Sequence, residues 1–182
     1  MVNIDAKKRV LIDMFAGAGG NSIAFALSGR WDKIIAIERD ASTLACAQNN
    51  ADCYEVEEGA ITWVHGDSFA YLEAVLKSPE TVHPDLRVDV DTTVIFASPP
   101  WGGPGYRTDE IFDIYGMQPY GLKELVQAYE RFEYALYLPR TSDLRQIAKL
   151  APEGKKIEVV QYCMEGASKA MVAYIPGKED AV

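Results

Sequence analysis

Histidine is scarce in this chain. Only His65 and His83 occur among 182 residues, so a site of three histidine ligands cannot be built. Cys46, Cys53 and Cys163 are odd in number and form no CxxC pair, which disfavours a disulfide framework and a zinc site and marks them as reduced, mostly packing residues. No metal is expected, and no Ser/His/Asp arrangement stands out. No apolar run approaches the roughly 20 residues that span a bilayer. The basic residues of the first nine positions are not followed by an apolar stretch of signal-peptide length before Asp13. An intracellular protein without membrane contact is therefore expected. Positive charge is also in deficit, with 18 Lys and Arg against 27 Asp and Glu and a net charge of −9, which argues against a general nucleic-acid coat.

What remains is the composition of an ordinary globular protein, 48% hydrophobic and 25% charged, and a length that fits a single domain over 1–182. Short β-rich apolar runs alternate with amphipathic stretches, the pattern of a mostly parallel sheet flanked by helices. Strands are predicted at Val10–Phe15, Ile34–Glu38, Thr62–His65, Thr93–Ala97 and Tyr134–Leu138. Helices are predicted at 21–28, 41–50, 69–76 and 122–131, with another running to Leu150 from a cap at Ser142 or Asp143. The segment Ser78–Thr92, with two prolines and five charged residues, reads as a surface loop. The tail reads as an antiparallel hairpin, 156–164 and 170–175, turning around Gly166. The expected fold is α/β: an open, mostly parallel Rossmann-like sheet with a C-terminal antiparallel hairpin, helices on both faces, and ligands at the strands' carboxyl ends.

Three constellations carry chemistry. In Asp13-Met14-Phe15-Ala16-Gly17-Ala18-Gly19-Gly20-Asn21, small residues between a strand and a helix let the backbone approach a ligand, unless the glycines merely let the chain reverse. A dinucleotide fingerprint would need glycine where Ser22 stands. Asp13 would also repel a pyrophosphate, whereas it suits the ammonium of an amino-acid-bearing cofactor. Glu38 and Asp67 each close a predicted strand. They are either solvated carboxylates or acceptors for ribose hydroxyls and an adenine amine. The ligand that matches all of these is S-adenosylmethionine, with Asp13, Phe15, Ala16, Gly17, Gly19, Asn21, Glu38, Arg39, Asp67, Ser68 and Phe69 as candidate contacts.

The third constellation, Ser98-Pro99-Pro100-Trp101, closes the fourth strand and resembles the Asp/Asn/Ser-Pro-Pro-aromatic motif of amino-methylating methyltransferases. The prolines stiffen the loop, so the carbonyls of Ser98 and Pro99 can accept both protons of an exocyclic amine while the aromatic ring stacks on its base. The bland alternative is a rigid turn with a buried tryptophan.

The run Ser98–Tyr106, then Ile111-Phe112-Asp113-Ile114 with Met117, then Tyr137-Leu138-Pro139-Arg140, together with Asp13–Asn21, is similar to the trimethylguanosine synthase family. This resemblance covers nearly the whole chain in order. It implies a class I methyltransferase that uses S-adenosylmethionine to methylate the 2-amino group of the 7-methylguanosine cap of small nuclear and nucleolar RNAs, in the nucleus or nucleolus, as a monomer. It also implies that Trp101 stacks on the cationic base, that Ser98 lies beside the methyl-accepting amine, and that Tyr106 and Arg140 contact the cap phosphates. Glu38 stands where the family usually has a ribose-binding aspartate. The family's catalytic domains carry an N-terminal helical extension, whereas this chain starts a few residues before its first strand, so weak binding or inactivity of the chain as it stands is an expectation. Two other readings share these motifs: an adenine-amine methyltransferase, which would want a basic groove, and a cofactor- or cap-binding module without turnover. A nicotinamide oxidoreductase is disfavoured by Ser22.

Overall fold

The computed structural model describes residues 7–103 and 110–177, and the chain forms two compact units, Met1–Phe96 and Ala97–Val182. In the first, strands β1 (Val10–Asp13), β2 (Lys33–Glu38), β3 (Thr62–His65) and β4 (Thr93–Ala97, its last residue opening the second unit) run parallel in the order β3-β2-β1-β4. Helices α1 (Gly20–Leu27), α2 (Ala41–Cys53) and α3 (Ser68–Lys77) follow β1, β2 and β3 in turn. The strands read as unbroken apolar runs because they are the core. Ile12, Ile35, Ala36, Ile95 and Ala97 are all 0% exposed, the pattern of parallel strands buried on both faces rather than of an alternating half-wet sheet.

The starts of α2 and α3 are each fixed by an aspartate close behind the strand before it. Asp40 caps α2 by accepting the Thr43 N–H at 2.7 Å, and Asp67 caps α3 by accepting that of Ala70 at 2.9 Å. Ser78–Thr92 is more ordered than a surface loop. It folds into three 3₁₀ turns, Pro79–Thr81, Pro84–Leu86 and Val90–Thr92, two of them opened by a proline whose missing N–H is no loss there. Val82 is buried, Tyr71 Oη donates to the Leu86 carbonyl at 2.7 Å, and Arg87 Nε donates to that of Val82 at 2.9 Å.

The second unit holds β5 (Glu133–Pro139), β6 (Glu158–Met164) and β7 (Ala167–Ile175), with β7 antiparallel to both of the others. Glu165 and Gly166 close the β6–β7 hairpin with φ of 52° and 79°. Positive φ at both residues is what a two-residue turn with the right twist requires, so the turn expected at Gly166 is present. Helix α4 (Leu122–Tyr129) begins after Gly121, whose N–H is accepted by Glu124 Oε2 at 2.5 Å. Of the two candidate caps for α5 (Leu144–Ala148), Asp143 serves, accepting the Arg145 N–H at 2.9 Å. Ser142 instead donates to the Pro139 carbonyl at 2.8 Å.

The cysteines correct one expectation: Cys46, Cys53 and Cys163 are unbridged, but all three are exposed rather than packed. Among the described residues no helix is long and apolar enough to cross a membrane.

Candidate functional site

Asp13 is the last residue of β1, fully buried, and held from two sides. Ser22 Oγ of α1 donates to its Oδ2 at 2.7 Å, and the Phe15 N–H reaches Oδ1 at 3.3 Å. Burial outweighs both bonds and pushes the carboxyl up to about 6, and the nearby Glu38 charge acts in the same direction. A carboxylate kept in a dry site with two donors is poised for a cation.

The loop that leaves Asp13 is folded around glycine. Gly17 and Gly19 have φ of 53° and 87°, and a Cβ on Gly19 would sit 3.1 Å from the Cβ of Ala47, so glycine also lets the loop close onto α2. Three bonds pin its shape: the Gly17 N–H donates to Glu38 Oε2 at 3.0 Å, the Ala16 N–H to the Ile37 carbonyl at 3.0 Å, and Asn50 Nδ2 of α2 to the Ala18 carbonyl at 2.9 Å. Glu38 therefore ties the loop to the end of β2, and its other oxygen accepts the Asp40 N–H at 2.9 Å. Each Glu38 oxygen keeps a further lone pair for a ligand hydroxyl.

Phe15 and Phe69, two residues beyond Asp13 and Asp67, meet edge to face at 6.2 Å and 63°. The structure thus joins Asp13, Phe15, Ala16, Gly17 and Glu38 directly and brings Phe69 beside them. Asp67 has a structural task as the α3 cap and is exposed, while Ser68 is buried as the first residue of that helix. Arg39 is exposed, its carbonyl 3.1 Å from His65 Nε2, and Asn21 is half-buried in the first turn of α1.

β1 and β4 end level. Asp13 is in register with Phe96, and the Met14 N–H donates to the Phe96 carbonyl at 3.0 Å. Ala97 and then Ser98-Pro99-Pro100-Trp101 follow directly in the chain. Pro99 is buried, Pro100 exposed, and Ser98 and Trp101 half-buried. Trp101 is followed by Gly102 and Gly103, with φ of 84° and 87°. Its indole lies stacked on the ring of Tyr137 from β5, centroids 5.9 Å apart and planes 14° from parallel. Arg140 is exposed just past β5, and Tyr106 lies outside the described residues.

Residues 8–178 match the model of a family described as RNA cap guanine-N2 methyltransferase. The chain belongs to that family. Among curated relatives it is similar to the trimethylguanosine synthase of Schizosaccharomyces pombe, 29% identical over 91% of this chain and 64% of the relative. It is also similar to that of Saccharomyces cerevisiae, 27% identical over 76% of this chain and 41% of the relative. The chain thus spans less than two thirds of the length of either. A solved structure described as an S-adenosylmethionine-dependent methyltransferase of Agrobacterium tumefaciens covers 97% of this chain, with 58% of its own chain covered, at a TM-score of 0.62 and 11% identity, a likeness of fold. The architecture is the Rossmann-like one of these methyltransferases: a mostly parallel sheet, helices around it, and a C-terminal antiparallel hairpin.

Within this cap guanine-N2 methyltransferase fold, three residues that sequence reasoning missed support the candidate contacts. Ser22 holds Asp13, Asn50 holds the glycine loop, and Tyr137 backs Trp101. Ser22 had a signal, as the residue that breaks the dinucleotide fingerprint. Tyr137 lies in the strand predicted at Tyr134–Leu138, where Tyr134 is buried but Tyr137 only half-buried.

Proposed function

We propose that this chain transfers methyl groups from S-adenosylmethionine to the 2-amino group of a 7-methylguanosine RNA cap, giving the 2,2,7-trimethylguanosine cap of small nuclear and nucleolar RNAs. The observation that carries the proposal is the pair of level strand ends. Asp13 and its glycine loop close β1 beside Phe96 of β4, and the Ser98–Trp101 motif continues β4. β1, flanked by β2 and β4, is where strand order reverses, and open parallel sheets bind ligands beyond such points.

The donor set fits the cofactor, which when bound supplies an electrophilic methyl on a sulfonium. Asp13 would hold its ammonium, Glu38 its ribose hydroxyls, and Phe15, Asp67 and Phe69 its adenine, with Ala16, Gly17, Gly19, Asn21, Arg39 and Ser68 around it. The Ser98 and Pro99 carbonyls accept the two N–H groups of the amine and so turn its lone pair toward the methyl. Trp101 holds the cationic base by stacking, and tryptophan is the strongest aromatic partner for a cation. Tyr106 and Arg140 are the proposed phosphate contacts, a role a guanidinium suits by geometry. The methylated nitrogen sheds one of its protons to water, so no residue ends the reaction in a different charge state, and most of the rate gain comes from positioning. A net charge of −9 is no obstacle, because a cap is a small ligand read by one pocket and needs no basic surface. A nuclear or nucleolar location and a monomeric state belong to the same proposal.

The test is a calorimetric titration of 7-methyl-GTP against GTP with S-adenosylhomocysteine present, on this chain and on Trp101→Ala. The wild type should prefer the methylated nucleotide, and the variant should lose roughly 5- to 30-fold of that affinity, the worth of a well-placed cation–π contact. S-adenosylhomocysteine binding without preference between the two nucleotides would refute the cap assignment.

A further inference from the structure

We propose that Tyr137 is a positioning residue for the cap: its ring sets the plane of the Trp101 indole against which the methylated base is held. The inference rests on the cap reading above and goes beyond it by naming what makes Trp101 a fixed plate.

Trp101 needs such support. It stands between Pro99-Pro100, whose rings fix their own backbone, and Gly102-Gly103, both in the left-handed region that only glycine adopts readily. The glycines turn the chain away just past the indole, so the plane of the ring is set by what it packs against. A cation is attracted only to a ring presented face-on within about 6 Å. Tyr137 is one such packing contact for the indole. It lies in the middle of β5, in register with Val172 of β7, on a rigid element with the ladder to hold it. Its ring is nearly parallel to the indole, 14° off with centroids 5.9 Å apart, an offset stack of the kind aromatic pairs prefer.

The strand separates this ring from the core aromatics. Tyr134, an odd number of residues earlier, points to the opposite side of β5 and packs edge-on against Tyr129 at 5.6 Å, and both are buried. Tyr137 is only half-buried, and its ring stacks on the loop tryptophan. A base that stacks on the same indole must use the face that Tyr137 does not cover. The order of the stack is then Tyr137, Trp101, base.

The experiment compares wild type, Tyr137→Phe and Tyr137→Leu, each as the full chain. Titrations of 7-methyl-GTP and GTP are run with S-adenosylhomocysteine present, and S-adenosylhomocysteine is titrated alone. Tyr137→Leu should weaken 7-methyl-GTP about 2- to 12-fold, the worth of one aromatic pair, and shrink its margin over GTP. S-adenosylhomocysteine should keep its affinity within about twofold, and Tyr137→Phe should match wild type because the ring alone is required. In turnover the same split appears as a raised KM for the capped substrate with KM for S-adenosylmethionine unchanged. Full 7-methyl preference in Tyr137→Leu would overturn the assignment, as would parallel loss of both ligands, which a merely structural role would produce. If the leucine variant does not fold, Tyr137→Met, which fills the space with a flexible apolar chain, is judged by the same criteria. Lack of preference in the wild type itself refutes the cap reading and this inference with it, whereas preference that survives Tyr137→Leu refutes this inference alone.

Discussion

Replacing Asp13 by asparagine should stabilise the protein and cripple its ligand binding, because the carboxyl is costly to the fold and useful only to a cation. Its pKa is raised from 3.8 to about 6, with burial the largest cause. A folded-state value above the unfolded one means that the native protein holds the proton more tightly than the unfolded chain. The contribution of this group to stability is therefore fully present below pH 3.8 and is lost as pH rises through about 6. The displacement corresponds to about 3 kcal/mol at roughly 1.4 kcal/mol per pH unit, all of it unfavourable at pH 7.5. Asp13→Asn removes the charge and keeps an oxygen for the Ser22 hydroxyl, but its NH₂ needs an acceptor, an expense of about 1–2 kcal/mol.

The expected result at pH 7.5 is a net gain of about 1–2 kcal/mol. Urea unfolding of both proteins at pH 5 and pH 7.5 measures it, with the gain smaller at pH 5, where the wild-type carboxyl is largely protonated. S-adenosylhomocysteine should bind the variant at least about tenfold more weakly, since a charge-assisted hydrogen bond contributes about 1.5–3 kcal/mol. In the wild type its affinity should fall as pH drops below about 6, because protonation of Asp13 removes the anion its ammonium requires. A variant less stable than wild type by the same amount at both pH values would refute the reasoning. So would an S-adenosylhomocysteine affinity indifferent to the substitution.

Substitutions at two further residues probe the scaffold beneath the site. Gly19→Ala places a side chain at φ 87° and its Cβ 3.1 Å from that of Ala47, and should cost about 1–3 kcal/mol, seen as a lowered melting temperature together with weaker S-adenosylhomocysteine binding. Asp67 is separable into cap and ligand contact: Asp67→Ala should lose about 1 kcal/mol of stability, while Asp67→Ser keeps the cap. If Asp67→Ser retains full S-adenosylhomocysteine affinity by calorimetry, the carboxylate serves α3 alone.

The parts of this molecule legible in the sequence are those that local pattern determines. Buried parallel strands announce themselves as apolar runs, and β3 and β4 fall at the residues the runs predict, Thr62–His65 and Thr93–Ala97. Boundaries shifted where pairing rather than hydropathy decides. β1 stops at Asp13, where the chain turns into the glycine loop, although Met14 and Phe15 are apolar. β7 starts at Ala167 because the two-residue turn sets Met164 opposite it, although Ser168 and Lys169 are polar. Candidate ligand contacts were legible because glycine, proline and strand-end carboxylates act through the backbone next to them. Their supports were not, because Asn50 reaches the loop from 32 residues away and Tyr137 reaches Trp101 from another strand.

Ser22 does more in the fold than its place in the sequence announces. In the sequence it counted only as an absence, the glycine that a dinucleotide fingerprint lacks. In the fold it is fully buried and donates to the only fully buried carboxylate among the described residues, nine positions earlier. Glycine there could not make this bond, and Asp13 without it would keep the Phe15 N–H but lose the Ser22 hydroxyl and be pushed toward its neutral form. A neutral Asp13 would offer a cation little, whereas an ionised one at the floor of the loop repels a pyrophosphate. In the proposed site the serine therefore favours a ligand that brings an ammonium group over a dinucleotide's pyrophosphate, where the sequence alone offered only an exclusion.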